Sequence, residues 1–373
     1  MKTEQSLTRF LDNKALYYDE IDYTTIKKAW DILKEHVSLP YVIHIVGTNG
    51  KGSTGRFLAH YLCKKNYKTV HYSSPHILKF NERIWIDGAD VSNDNLDEAH
   101  IKLQEIFCEE LIAKLTYFEY TTLLCFYLSS SYDYLVLEAG LGGEFDATNV
   151  VPNDLSLITP IDFDHQSFLG NTVQEIASTK LRSCDNRMIV NKQLHDEVYD
   201  IAAKYDFTKV EAFDLKELDF MPSYLLQNLR LAMSALKYLD IKIDLNLFKD
   251  TKLFGRCQKI KNNITIDVGH NPLAALVIKD EFEKNKKKIS LIYNCFKDKD
   301  YEKVLQILKP IINEVLIINI QDERVIEKNK LIRACEKLNL MVDDFKTINV
   351  EKNYLAFGSF SVVEEFLKVN SER

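Results

Sequence analysis

The sequence predicts an α/β chain of two domains, each built on a mostly parallel sheet. Three observations carry this. A glycine-rich turn, Gly47-Thr48-Asn49-Gly50-Lys51-Gly52-Ser53-Thr54, follows the apolar run Tyr41 to Val46 and precedes a helical pattern from Phe57 to Tyr61. Short apolar runs then alternate with helical segments, which is how parallel strands covered on both faces read. A second alternation of the same kind begins near Gly255, so the boundary is expected around 250–255, with domains 1–252 and 253–373.

Taken in order, Ile26, Trp30 and Leu33 recur at helical spacing before Pro40 ends the pattern. Tyr41 to Val46 is the first strand and Thr69 to Tyr72 the second. Ser73-Ser74-Pro75-His76 forms a loop, and Asn95 to Lys114 and Glu119 to Ser131 are read as one helix each. Tyr132 to Leu137, ending at Glu138, and Ser156 to Thr159 are further strands. Val46, Glu138 and Asp162 fall at or just past strand ends, where open parallel sheets bind ligands. In the second unit Ile264–Val268, Ile289–Tyr293, Glu314–Ile320 and the run from Tyr354 read as strands. Ala274–Phe282, Tyr301–Leu308, Lys328–Leu338 and a final segment after Phe360 read as helices.

At 373 residues, two cores are expected. No apolar run reaches the ~20 residues that span a bilayer, and MKTEQSLTRF lacks a secretory pattern, so a cytoplasmic protein without membrane partners is expected. A net charge of −7 argues against general nucleic-acid affinity. Seven cysteines, with no CxxC pair, read as scattered buried thiols. The run Lys286-Lys287-Lys288 reads as the solvated edge of the strand that follows.

The turn after Val46 carries the clearest chemistry. Glycines let backbone N–H groups face an anion, the next helix adds its positive end, and Lys51 adds a mobile charge. Two residues rather than four separate Gly47 from Gly50-Lys51, and Gly52 intervenes before Ser53, so the spacing departs from the common phosphate loop. Glu138 heads Glu-Ala-Gly-Leu-Gly-Gly, a carboxylate placed either to hold magnesium beside a nucleotide or to face solvent. Asp146-Ala147-Thr148-Asn149 reads equally as polar ligands or as turn capping. His165 reads as a metal ligand, a general base or a core histidine, and Lys180 as a site residue or an exposed helix lysine. Asp267-Val268-Gly269-His270-Asn271-Pro272 reads as a clamp for a sugar or phosphate, or as turn chemistry.

Together these motifs resemble the folylpolyglutamate synthase and dihydrofolate synthase family, within the Mur-ligase-type amide ligases. His44 to Ser53 is similar to its phosphate loop, short spacing included. Ser73 to His76 and Phe80-Asn81-Glu82-Arg83-Ile84 resemble its mobile loop, and Glu138 to Asn149 its Glu-x-Gly-x-Gly-Gly-x-x-Asp-Ala-Thr-Asn signature. Asp164-His165, Lys180, Asn228, Arg256, Asp267 to Pro272 and Gly358-Ser359-Phe360 resemble the later motifs. The resemblance implies a P-loop domain like the Mur ligase central domain and a Rossmann-like C-terminal domain that closes over it. It implies a monomer using ATP, two Mg2+ ions and L-glutamate to extend dihydropteroate or a reduced folate. By the same resemblance Asn49, Gly50, Lys51, Gly52, Ser53, Thr54, Asn228, Arg256 and Asp267 bind ATP. Lys51, His165, Lys180 and His270 are catalytic. Ser74, Glu138, His165 and a carbamylated Lys180 hold metal, and Ser73, Phe80, Arg83 and Asp146 meet the substrate. Readings kept beside this are a chain-extending folate ligase, a UDP-muramoyl peptide ligase and a regulatory nucleotide-binding module. Glu144 stands where relatives often carry arginine, and Thr179 where they often carry glutamate.

Overall fold

The computed structural model describes residues 6–14, 23–284 and 288–371. Lys286 and Lys287 of the basic run lie outside the described residues. The chain divides into two units, Met1–Leu215 with Gln227–Thr251, and Lys216–Leu226 with Lys252–Arg373. The short segment 216–226 thus groups with the second unit.

The larger unit holds an eight-stranded sheet: β1 (Tyr41–Val46), β2 (Thr69–Tyr72), β3 (Ile84–Ile86), β4 (Ala89–Asp90), β5 (Tyr134–Glu138), β6 (Leu155–Ile158), β7 (Met188–Val190) and β8 (Phe207–Lys209). Their spatial order is β4-β3-β2-β5-β1-β6-β7-β8. All pairings are parallel except β2 with β3 and β3 with β4. β1 lies between β5 and β6, with Ile45 opposite Glu138 and Val46 opposite Ile158. The connection from β1 runs to β2 on one side and that from the neighbouring β6 to β7 on the other, so the topological switch point lies between the carboxyl ends of β1 and β6. Five of its six residues are buried, because helices cover both faces and the strand therefore reads as a continuous apolar run. One core gathers Val42, Val70, Leu135 and Leu137 with Leu123, Leu124 and Phe126 of the helix Tyr117–Leu128. Another packs Ile176, Ala177 and Leu181 against Val46, Ile158, Met188 and Val190.

The smaller unit holds β9 (Gln258–Lys261), β10 (Ile264–Asp267), β11 (Ile289–Tyr293), β12 (Ile312–Ile317), β13 (Met341–Asp344) and β14 (Tyr354–Phe357). Their order is β13-β12-β11-β14-β10-β9, parallel except for β9 with β10. Its core packs Leu291, Val315 and Leu355 with Ile278, Leu305 and Leu331 from helices.

Three expectations change. The segment 95–114 is two helices, Asn93–Ile106 and Glu109–Lys114, because Phe107 and Cys108 are extended and Phe107 buries its ring in the core. The helix expected from Phe57 begins at Lys51, since the residues of the turn itself form its first turn. The thiols are free, but Cys108 is exposed, and only Cys125, Cys184, Cys295 and Cys335 are fully buried. No described helix is long and apolar enough to cross a membrane.

Candidate active site

The chain turns as soon as β1 ends. Gly47 has φ +145°, and a Cβ there would lie 2.0 Å from Thr159 Oγ1. Gly50 is left-handed at φ +93°, and its Cβ would lie 2.6 Å from Asn228 Oδ1. Only glycine accepts both the conformation and the close approach. Gly50 is also the N-cap of the helix Lys51–Lys64, and its position offers no side-chain acceptor to the first N–H groups. Those amides form an uncapped, anion-binding end. Ser53 Oγ and Thr54 Oγ1, one turn in, are buried without a hydrogen-bond partner. Such a group costs about 1–3 kcal/mol while unsatisfied, and a phosphate or metal-bound oxygen would satisfy it.

Two lysines converge on this turn. Lys51 Nζ donates to the carbonyls of Gly47 and Thr48, each at 3.2 Å, and lies 4.0 Å from Glu138 Oε1. Lys180 Nζ donates to the same Gly47 carbonyl at 3.0 Å. Lys180 sits on the helix Val173–Leu181 and is only 5% exposed, so the exposed-lysine reading is overturned. Burial, and then the Lys51 charge, push its amine down to about 7, while Asp164 and Asp146 pull the other way. Glu138, the last residue of β5, is also 5% exposed rather than solvent-facing, and its Oε2 accepts the Ser74 N–H at 3.3 Å. The buried Glu138 carboxylate, 4.0 Å from the lysine of the turn, supplies hard oxygen atoms. Such a donor set fits Mg2+, which takes one or two protein ligands and completes its shell with phosphate and water.

His165 opens a short helix in a left-handed conformation, with its side chain 40% exposed and Nε2 3.8 Å from Asp164 Oδ2. The core-histidine reading is therefore corrected. Among the described residues, no three His, Cys, Asp or Glu side chains converge as a metal cluster, so Glu138 and His165 are not brought into one such group. Asp146 spends its carboxylate on its own turn. Oδ1 accepts from Thr148 N–H and Oγ1 at 3.0 and 2.6 Å, and Oδ2 from Leu141 N–H at 2.6 Å. His44 joins this turn through Thr148 Oγ1 at 2.9 Å, and burial pushes its imidazole down to about 4.

The loop after β2 rolls around two side chains. Glu82 accepts the N–H groups of Ile77, Leu78 and Lys79 at 2.7 to 2.8 Å. Arg83 donates to His76 Nδ1 at 2.8 Å and lies 5.1 Å over the Tyr117 ring, which Phe80 meets edge-on at 6.2 Å. Ser73 N–H is held by the Arg83 carbonyl at 2.9 Å. Glu144, the departure in the glycine segment, pairs with Arg182 at 2.6 Å, so its charge is answered locally.

Arg256, Asp267 and His270 gather in the smaller unit. Asp267 Oδ2 accepts from Tyr224 Oη at 3.0 Å and Cys257 N–H at 2.8 Å, and Oδ1 from Gly269 N–H at 2.7 Å. Burial pushes its carboxyl up, and the Arg256 charge opposes this. Arg256 stacks 5.3 Å over Phe360, and His270 Nδ1 donates to the Val268 carbonyl at 3.2 Å. Sequence reasoning passed over Phe118, whose ring would meet a Cβ on Gly140 at 2.5 Å and so lies against the glycine turn after Glu138. His195 is a second such residue, while Thr48, inside the glycine turn, carries no role of its own in the sequence. A lone aromatic or histidine outside a spaced motif gives no signal of its own.

No protein-family model matches the chain. It is 32% identical over 395 aligned residues to the dihydrofolate synthase/folylpolyglutamate synthase of Haemophilus influenzae, covering 89% of each chain. It is 31% identical over 369 residues to the protein of the same name from Buchnera aphidicola subsp. Schizaphis graminum, covering 88% of this chain and 87% of that one. The chain belongs to the dihydrofolate synthase/folylpolyglutamate synthase family. Among solved members, it is similar to Helicobacter pylori folylpolyglutamate synthetase at 38% identity and a TM-score of 0.77, covering 98% of each chain. E. coli FolC in complex with DHPP and ADP shares the family fold at a TM-score of 0.85, with 24% identity over 98% of this chain and 96% of that one. The two-sheet architecture expected from the sequence is thus the family's own.

Proposed function

We propose that this chain joins L-glutamate to dihydropteroate, and further glutamates to reduced folates, through an acyl phosphate made with ATP. The observation that carries the reading is the uncapped helix end at Gly50–Thr54, with two buried hydroxyls unpartnered and two lysines and Glu138 around it. Relatives named for both activities, matched over 87% and 89% of their length, support the substrate class.

A carboxylate resists attack by an amine until one oxygen becomes a leaving group. In the proposed reaction the substrate carboxylate oxygen attacks the γ-phosphorus and ADP departs. The glutamate nitrogen then attacks the acyl carbon, losing a proton, and phosphate leaves with the original carboxylate oxygen. Phosphoryl transfer of this kind needs positioning and charge neutralisation. The amides of Asn49 to Ser53 would hold the phosphates, and Lys51, already within reach of the loop carbonyls, would move its charge to the β/γ oxygens. Thr54 would support the same end, Asn228 lies against Gly50, and Arg256 and Asp267 would meet the nucleotide. Ser74 and Glu138 would hold Mg2+, and His165 with Lys180 a second ion. Bound Mg2+ supplies neutralisation of charge on the transferring phosphoryl group. Lys180, depressed to about 7, has a neutral amine available to add CO2 and become a carbamate. His270 would act near glutamate or phosphate, while Ser73, Phe80, Arg83 and Asp146 would shape the substrate side. A cytoplasmic monomer remains part of this proposal.

Purified protein with ATP, Mg2+ and glutamate, offered dihydropteroate, tetrahydrofolate or a UDP-muramoyl peptide, tests the reading. Phosphate release with both folate substrates is expected. Release with tetrahydrofolate alone would leave chain extension only, the reading favoured by the similarity to the H. pylori folylpolyglutamate synthetase. Release only with the UDP substrate would refute the folate assignment.

A further inference from the structure

His195 lies outside every motif named above, yet it ends a chain of hydrogen bonds that begins in the phosphate loop. Thr48 Oγ1 donates to the Asp162 carbonyl at 2.9 Å and accepts the Asp162 N–H at 3.1 Å. This two-way exchange fixes the threonine rotamer against the segment after β6. Thr48 N–H adds a bond to the Pro160 carbonyl at 2.9 Å. Asp162 Oδ1 in turn accepts the N–H of Phe163 at 2.8 Å and lies 3.0 Å from His195 Nε2. The His195 ring also meets the Phe163 ring edge-on at 6.2 Å.

The support continues one strand further out. Gln193 Oε1 accepts the Ile161 N–H at 2.9 Å, and its Nε2 donates to the carbonyls of Thr159 and Asn191 at 3.3 and 3.0 Å. Residues 191–195 after β7 therefore grip residues 159–162 after β6, which grip Gly47 to Asn49 after β1. Gln193 is buried and works on the backbone. His195 and Asp162 have side chains 29% and 19% exposed, so theirs is the link that exchanges with water and the one a substitution alters without opening the core.

We propose that His195 is a positioning residue for the nucleotide: by holding Asp162 it fixes Thr48, and through Thr48 the direction in which the amides of Asn49 to Ser53 point. The inference rests on the ATP reading of that loop. A positioning role of this kind changes nucleotide affinity and the KM for ATP, while kcat at saturating ATP stays near its original value.

The test measures binding of Mg2+ and AMPPNP by calorimetry, with melting temperature followed in parallel, and needs no turnover. Loss of one partly exposed hydrogen bond predicts that His195→Ala weakens AMPPNP by about 5-fold. His195→Gln, which keeps an N–H donor, should restore most of the affinity. Thr48→Val should weaken binding in the same direction. The double variant should then bind no worse than the weaker single variant, since both substitutions cut one chain. Wild-type affinity in His195→Ala, or effects that multiply in the double variant, would overturn the inference while leaving the ATP site intact. A wild-type protein that binds no AMPPNP would instead refute the ATP reading, and this inference with it.

Discussion

The turns after β1 and β10 both leave the carboxyl end of a parallel strand and both run into a helix, but their polar groups are spent differently. After β10, Asp267 is bonded to three donors, and Asn271 caps the helix Pro272–Glu283 by accepting the Ala274 N–H at 2.9 Å. After β1, the N-cap is a left-handed glycine without a side chain, and Ser53 and Thr54 keep buried hydroxyls unpartnered. The β10 turn is complete by itself and the β1 turn is not. Satisfied groups hold a fold together, whereas an open helix end with unpartnered donors is arranged for an anion. In the proposed enzyme the nucleotide phosphates therefore belong to the β1 turn. The β10 turn holds the segments that carry Arg256 and His270.

The comparison breaks first at Lys51. Removing the mobile charge in Lys51→Ala should lower ligase turnover by about 100- to 1,000-fold, read as phosphate release; an unchanged rate would take the loop out of the mechanism. Lys180→Met should follow, with a loss of about 100-fold that bicarbonate does not repair.

Lys180 also predicts a pH signature. Its amine titrates near 7 in the folded chain and near 10.5 when unfolded. Between those values the unfolded chain binds a proton that the folded chain refuses, so stability should rise as pH climbs from about 7 toward 10.5. Lys180→Met should flatten that rise in denaturant titrations at several pH values. An equal slope in both proteins would mean that the amine is not held neutral.

Smaller effects sharpen the contrast. Gly50→Ala forces a Cβ into left-handed backbone and against Asn228, at about 1–2 kcal/mol for the conformation alone; AMPPNP affinity should fall by about 10-fold. Asn271→Ala removes a cap instead, so about 1 kcal/mol should be lost from unfolding of the smaller unit in urea. The Glu144–Arg182 pair is part-exposed, with side chains 27% and 46% accessible, and Glu144→Gln should cost under about 1 kcal/mol.

Much of this was legible in the sequence because the central strands are buried on both faces and announce themselves as apolar runs. β1, β2, β5, β6, β10, β11, β12 and β14 all correspond to expected strands. Those that escaped, such as Met188–Val190, Phe207–Lys209 and Gln258–Lys261, are three or four residues long or alternate with exposed lysines, so periodicity has little to act on. The phosphate loop was legible because its glycines are required locally. The burial of Lys180, a residue the resemblance named, was not, since it depends on a helix packing against β6 and β7. Nor was the bonding of Asp146 and Asp267, whose partners only the folded chain brings to hydrogen-bond distance.

Oxygen transfer puts the central claim, activation of a folate carboxylate by ATP at the β1 turn, to its most direct test. Tetrahydrofolate labelled with 18O in its γ-carboxylate would be turned over with ATP, Mg2+ and L-glutamate, and the released phosphate weighed by mass spectrometry. One labelled oxygen in each phosphate is the predicted result, lost together with turnover in Lys51→Ala. Unlabelled phosphate accompanying glutamylated product would contradict the account.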